Sequence, residues 1–206
     1  SDSFNSSSTP EEISMHFVLN SIKQSLFKTG RLNLRNIHSS IAFAMPVQVG
    51  DKIPSVDLYE NSPAEKVNTE TLCSGKTVVL FAVPGAFTPG CSKTHLPGYV
   101  SDADNLKSNG VDEIVCVSVN DPFVMAAWGQ EHKVNGKVRM LADPSAAFTK
   151  AVDLATDLPP LGGTRSKRYS MVIKDGVVTE LNVEPDGTGL TCSLAKNLTF
   201  KKKSIS

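Results

Sequence analysis

Thr77-Val-Val-Leu-Phe-Ala-Val83 runs straight into Pro84-Gly-Ala-Phe-Thr-Pro-Gly-Cys91, and then into Ser92-Lys-Thr-His95. An unbroken apolar and β-branched run of this length reads as a strand buried on both faces. The Pro- and Gly-rich segment reads as a turn. Ser92 to Lys107 then reads as a helix bent at Pro97-Gly98, where proline removes a hydrogen bond. Cys91 therefore falls in the first turn of a helix. Unpaired backbone N–H groups and the positive end of the helix dipole there favour thiolate over thiol. Strand-to-helix turns of this kind lie at the C-terminal edge of α/β sheets, where sites are usually built. Cys91 is thus a candidate nucleophile. A buried structural thiol is the commoner fate of a free cysteine, but the flanking Gly90 and Ser92 are not core-forming residues. Thr88 is close enough in sequence for its hydroxyl to reach the sulfur or a substrate.

Working outward, strands and helices alternate. Glu113 to Val119 is a second strand, and Asp121-Pro122 starts a helix, with an N-cap residue followed by proline at the first position. That helix carries Phe123, Ala126, Ala127 and Trp128. Val138 to Ala142 is a third strand, and Ser145 to Val152 a short helix. Tyr169 to Ile173 and Val177 to Val183 flank the turn Lys174-Asp-Gly176 and read as a hairpin. A last helix is expected near Thr188 to Thr191. The pattern predicts an α/β fold with a central mixed sheet flanked by helices, and no internal repeat is present.

The chain has 206 residues and a formal net charge of zero. No basic stripe suggests nucleic acid as a partner, and no apolar run is long enough for a membrane span. The four cysteines, at 73, 91, 116 and 192, form no C-x-x-C pair. That argues against structural zinc and against a disulfide-stapled secreted scaffold, and points to a reducing compartment. Gly75-Lys76-Thr77 is no phosphate loop, because Glu70 stands where the upstream glycine belongs. Asp186-Gly-Thr-Gly189 is too short to hold calcium. No metal or cofactor is called for. Residues 1–45 differ from the body at 46–206: Ile13 to Gly50 contains no Asp or Glu but carries Lys23, Lys28, Arg31 and Arg35. Such a leader resembles a mitochondrial presequence. Met45-Pro46 offers an alternative start for a cytosolic form.

Other candidates are weaker. His95 lies one helical turn beyond Cys91 and could approach it, although a surface or cap position is the plainer reading; His132 ends its helix. Dithiol exchange of the thioredoxin kind needs a second thiol at position 94, which is Thr94. Arg165, Lys167 and Arg168 form a basic cluster entering a strand. Arg168 abuts that strand, so a rigid element could aim its guanidinium at a thiolate. Cys192 follows a Gly-rich turn, Cys116 alternates into the core of a strand, and Cys73 reads as an exposed loop residue.

Pro84, Thr88 and Cys91 match P-x-x-x-T-x-x-C, the signature of the peroxiredoxins. Val83 to Leu96, Ser118-Val-Asn-Asp121, and Asn182-Val-Glu-Pro-Asp-Gly-Thr-Gly-Leu-Thr-Cys-Ser-Leu194 together resemble the atypical two-cysteine, peroxiredoxin 5 group of that family. The resemblance spans roughly Pro46 to Leu198. It implies a thioredoxin-like fold and a thiol peroxidase acting on hydrogen peroxide, alkyl hydroperoxides and peroxynitrite. By matching position, Cys91 is the peroxidatic cysteine that becomes a sulfenic acid, Cys192 the resolving cysteine, and Cys91–Cys192 the disulfide that thioredoxin reduces. Thr88 would hydrogen-bond thiolate and peroxide, Pro84 would shield the sulfenate, and Arg168 would be the active-site arginine. The backbone N–H groups of Gly90 and Cys91 would hold the peroxide. A monomer or weak homodimer is expected. Since a disulfide needs Cα atoms within about 7 Å, the turn around Cys91 is expected to unwind during turnover. The chain departs from the family at Ala151 to Gly163, with its Pro159-Pro160, and at Cys73. Its tail, Lys201-Lys-Lys-Ser-Ile-Ser206, also differs from the S-K-L type, so peroxisomal delivery is not expected.

Overall fold

The computed structural model describes residues 45–199, so the leader expected over 1–45 falls, but for Met45, outside the described residues, as does the lysine-rich tail. The elements in chain order are β1 (Asp57–Glu60), β2 (Lys66–Asn68), α1 (Thr69–Cys73), β3 (Thr77–Val83), a π-helical turn (Cys91–His95) and α2 (Leu96–Ser108). Then follow β4 (Glu113–Ser118), α3 (Pro122–Glu131), β5 (Arg139–Ala142), α4 (Ala147–Ala151), β6 (Ala155–Leu158), β7 (Gly163–Ser166), β8 (Tyr169–Lys174) and β9 (Val177–Val183). Seven strands form one sheet in the order β2-β1-β5-β4-β3-β8-β9, and β6 pairs with β7 separately. β3, β4 and β5 run parallel, while β8 pairs antiparallel with β3. This is the mixed sheet expected from the sequence, in a thioredoxin-like fold.

The sheet is covered on both faces, which is why β3 lacks polar alternation. Val78, Leu80 and Ala82 point to one side, where Leu72, Phe148 and Val152 pack. Val79, Phe81 and Val83 point to the other, against Leu96, Tyr99, Leu106, Met125 and Trp128 of α2 and α3. The β8–β9 hairpin turns at Asp175 (φ 48°) and Gly176 (φ 74°), two successive left-handed residues that match the twist of the strands. Asp121 caps α3, accepting from the N–H groups of Phe123 and Val124 at 3.0 Å each.

Two expectations need correction. Cys73 is buried, not exposed, because α1 ends at it and turns it into the core beside Leu72. The helix expected from Ser92 to Lys107 is a π-helical turn, Cys91–His95, that continues into α2, and Pro97 follows directly on the point where the Leu96 N–H bonds the Cys91 carbonyl five residues back. No helix starts at Thr188 to Thr191; that segment is an irregular loop, followed by a short 3-10 turn at Ala195–Asn197. Its backbone donors are taken by side-chain carboxylates before a helix could use them. The Ala151 to Gly163 region contributes β6 and a 3-10 turn, Pro159–Leu161, before β7.

Gly129 lets α3 lie close on β5: a Cβ there would stand 2.8 Å from Met140 Cγ and 3.3 Å from Val134 Cγ2. Gly129→Ala gains about 1 kcal/mol of helix propensity, but overpacking costs about 1–3 kcal/mol. The variant is expected to unfold at lower urea concentration than the parent; a raised midpoint would refute the close-packing argument.

Candidate active site

β3 ends at Val83 and delivers Pro84 and Gly85, both buried, into the loop that carries Cys91. That loop is pinned to the next strand: the Ala86 N–H donates to Asn120 Oδ1 at 3.0 Å, and the Ser118 hydroxyl donates to the same oxygen at 2.7 Å. Phe87 takes a left-handed φ of 62° within it, a strained position for a bulky residue. The Thr88 hydroxyl donates to the Gly85 carbonyl at 2.9 Å, while the Thr88 carbonyl accepts from Ser92 N–H at 2.9 Å. Ser92 Oγ accepts the Trp128 indole N–H at 3.0 Å, tying the cysteine's neighbour to α3. Cys91 itself is fully buried.

The sequence places Arg168 far away, but the sheet brings it back. Tyr169 lies opposite Ala82 in the β3–β8 register, so Arg168 emerges beside the end of β3. Its backbone is held twice: its N–H donates to Gly187 O at 2.7 Å, and its carbonyl accepts from Glu184 N–H at 3.0 Å. Its side chain is 4% exposed. Nη1 donates to Cys91 Sγ at 3.3 Å and approaches His95 Nδ1 at 3.1 Å, and Nε donates to Thr188 O at 3.0 Å. A guanidinium donor aimed at a sulfur stabilises negative charge there. Gly90 closes the pocket; a Cβ on it would meet Leu190 Cδ1 at 3.3 Å and Arg168 Nη2 at 3.4 Å.

His95 is buried within this network rather than on a helix surface. Its Nε2 is 3.1 Å from Ser193 O. A carbonyl only accepts, so Nε2 carries the hydrogen and Nδ1 is left to accept from Arg168. Burial first, and then the nearby Arg168 charge, lower its pKa from 6.5 to about 4 against the opposing Ser193 bond. Neutral His95 therefore orients Arg168 without competing with its charge.

Cys192 sits half-buried in the adjoining loop, its thiol donating to Val183 O at 3.4 Å. Cys91 and Cys192 are both free thiols here, each engaged with a different partner. Among the residues singled out from sequence, Cys91, Arg168 and Gly90 meet, and Pro84 and Thr88 lead into the same turn. Thr88 makes no hydrogen bond to the sulfur, contrary to expectation, because its hydroxyl is donated to Gly85. His95, Ser193, Glu184 and Trp128 belong to the same network, and only His95 was signalled, by its spacing from Cys91. Among the described residues no cluster of three or more His, Cys, Asp or Glu could hold a metal, and no helix is long and apolar enough to cross a membrane.

A buried cysteine at the mouth of a strand-to-helix turn, faced by an arginine from a neighbouring strand, defines a thiol-based redox protein. The Redoxin family model matches residues 48–198. Peroxiredoxin-2D of Arabidopsis thaliana is 43% identical over 157 residues, covering 74% of this chain and 96% of the relative. The crystal structure of reduced Prx3 in complex with hydrogen peroxide from Vibrio vulnificus is 48% identical at a TM-score of 0.69, covering 73% of this chain and 96% of that one. Peroxiredoxin 5 from Alvinella pompejana is 44% identical at a TM-score of 0.65, covering 71% and 96%. The chain belongs to the redoxin family as a peroxiredoxin, a thiol-dependent peroxidase of antioxidant defence.

The depressed pKa of His95 has a consequence for stability. The unfolded chain takes up a proton at this residue near pH 6.5 and the folded chain only near 4, so stability is full above 6.5 and falls as pH drops through that window, by at most about 1.4 kcal/mol per pH unit. Thermal midpoints measured between pH 7 and 4 should decline, and His95→Gln should flatten that decline. An unchanged slope in the variant would place the titration elsewhere.

Proposed function

We propose that Cys91 is the peroxidatic cysteine and Cys192 its resolving partner. The observation that carries this reading is the 3.3 Å contact from Arg168 Nη1 to Cys91 Sγ in a buried pocket. The thiolate attacks one peroxide oxygen and the O–O bond breaks. Sulfur keeps the attacked oxygen as a sulfenic acid, and the other oxygen leaves with its substituent, as water from hydrogen peroxide or an alcohol from an alkyl hydroperoxide after taking a proton, and as nitrite from peroxynitrite. Arg168 stabilises the negative charge as it passes from sulfur to the leaving oxygen. Gly90 and the Cys91 N–H orient the peroxide, Thr88 contributes its hydroxyl once the bond to Gly85 is exchanged, and Pro84 keeps bulk water from the sulfenic acid. Hydrogen peroxide, alkyl hydroperoxides and peroxynitrite are the substrates. The Cys192 thiol then condenses with the sulfenic acid, releasing water and forming the Cys91–Cys192 disulfide, which thioredoxin reduces. Closing the bridge requires the turn at Cys91 to unwind.

The protein works as a monomer or weak homodimer, which sedimentation of the reduced and oxidised forms would decide. The acid-free, basic stretch from Ile13 to Gly50 supports delivery to mitochondria, with a cytosolic form starting near Met45. Residues 1–50 fused to a fluorescent reporter would test that address.

Trp128 is the chain's single tryptophan and bonds the residue next to Cys91, so it reports the turn. Peroxide should change its fluorescence in the parent protein and in Cys192→Ser, but not in Cys91→Ser. Loss of the change in Cys192→Ser would overturn the assigned roles. Arg168→Met should slow the peroxide step by about 10²–10³-fold. Arg168→Lys should not restore it, because an ammonium lacks the planar fork that reaches sulfur, imidazole and carbonyl together. A rate within twofold of the parent in Arg168→Met would exclude the arginine from the reaction.

A further inference from the structure

Glu184 stands just beyond β9, 1% exposed, and its carboxylate bonds only the segment Thr191 to Ser193, touching neither Cys91 nor the Arg168 guanidinium. Its Oε1 accepts the backbone N–H groups of Thr191 at 2.7 Å, Cys192 at 3.0 Å and Ser193 at 2.9 Å, and the Ser193 hydroxyl at 2.7 Å. Its Oε2 accepts the Thr191 hydroxyl at 2.6 Å. Three consecutive amides converging on one oxygen form an anion-binding nest. Here the anion is a side chain of the same molecule. Ser193 is gripped from the far side as well, its carbonyl accepting from His95 Nε2 at 3.1 Å and the Tyr99 hydroxyl at 2.7 Å. Asp186 holds the preceding residues through the N–H groups of Thr188 at 2.8 Å and Gly189 at 2.6 Å.

We propose that Glu184 is a positioning residue for the resolving step: its carboxylate latches the arm bearing Cys192, and the strength of the latch limits how fast the disulfide closes. The proposal rests on the reading of Cys91 and Cys192 given above. The geometry supplies the reason. Cys192 now points its thiol at Val183 O and must turn to Cys91, and three amides meeting at a single oxygen cannot follow that movement without separating from it. The segment itself is neither strand nor helix, and its three consecutive backbone N–H groups, Thr191 to Ser193, are all spent on this one carboxylate. Charge-assisted bonds of this kind are about twice as strong as neutral ones.

The consequence is a partition. The sulfenic acid at Cys91 either condenses with Cys192, losing its hydroxyl with the thiol proton as water while S–S forms, or meets a second peroxide molecule. The second peroxide transfers an oxygen to the sulfur and leaves as water or an alcohol, and the product is an irreversible sulfinic acid. A firm latch lengthens the interval in which the second outcome occurs. Glu184 thereby sets the peroxide concentration at which the enzyme inactivates itself.

The test compares the full-length parent with Glu184→Gln, which keeps an acceptor but removes the charge. Hydrogen peroxide is mixed rapidly with each reduced protein. Trp128 fluorescence follows the first oxidation, and alkylation with mass spectrometry counts thiol, disulfide and sulfinic acid with time. The first oxidation should stay within about twofold of the parent. Closure should accelerate about fivefold, the factor equivalent to about 1 kcal/mol, the sulfinic fraction at a fixed peroxide dose should fall, and the Thr191 to Ser193 amides should exchange faster. Closure at the parental rate, or slower, overturns the latch. Should Glu184→Gln not fold, Thr191→Val with Ser193→Ala removes the two hydroxyl donors and leaves the carboxylate, with the same direction expected and the same result decisive. A parent protein whose Cys91 is not oxidised would sink the functional reading itself, whereas a parent that cycles beside variants of parental closure rate would sink only the latch.

Discussion

The guanidinium of Arg168 is almost wholly removed from water, and among the described residues no carboxylate lies within ion-pair distance of it. Burying a charge without a counter-charge costs several kcal/mol. What surrounds this one instead is a sulfur, an imidazole nitrogen and a carbonyl oxygen. Of these, only the sulfur can acquire a full negative charge. The one group of the three that can become an anion thus stands directly against a buried cation.

The remaining architecture serves that pairing. The antiparallel register of β8 on β3 sets Arg168 at the end of the strand that feeds the Cys91 turn. The π-helical turn then places Cys91 and His95 around the same guanidinium nitrogen. His95 must be neutral to accept from Arg168, and its burial keeps it so. Its other nitrogen reaches Ser193, which Glu184 holds from the opposite side. One chain of hydrogen bonds thus joins the two segments that carry Cys91 and Cys192.

The parts of this arrangement that were legible in the sequence are those written in local pattern. β3 is an apolar run, α3 begins with Asp121-Pro122, and the β8–β9 hairpin turns at Asp175-Gly176. Cys91 announces itself by standing between glycine and serine after a strand. The parts that were not legible depend on where distant backbone groups are spent. Nothing in Thr188 to Thr191 says that its amides will be captured by Glu184 and Asp186 in place of a helix. The burial of His95 likewise follows from Phe81 and Tyr99, whose rings enclose it at 5.1 and 5.5 Å between centroids. Cys73 is core because α1 is only five residues long and ends facing inward, a boundary that loop composition hides.

The two cysteines facing this network live under opposite fields. Cys91 is met by the guanidinium of Arg168. Cys192 is met by an anion: burial first, and then the charge of Glu184, raise its pKa above 9. Its thiol also needs its hydrogen to reach Val183 O. Glu184 stays charged to hold it there, since hydrogen bonds from Thr191 and Ser193 override its burial and bring its pKa to about 2. The two sulfurs thus sit against opposite charges, Cys91 against Arg168 and Cys192 against Glu184. Moving Cys192 out of its cradle removes it from the negative field of Glu184 at the same moment that it approaches the positive field of Arg168. On the proposed roles, the motion that brings the sulfurs together is therefore also one that makes the second a better nucleophile.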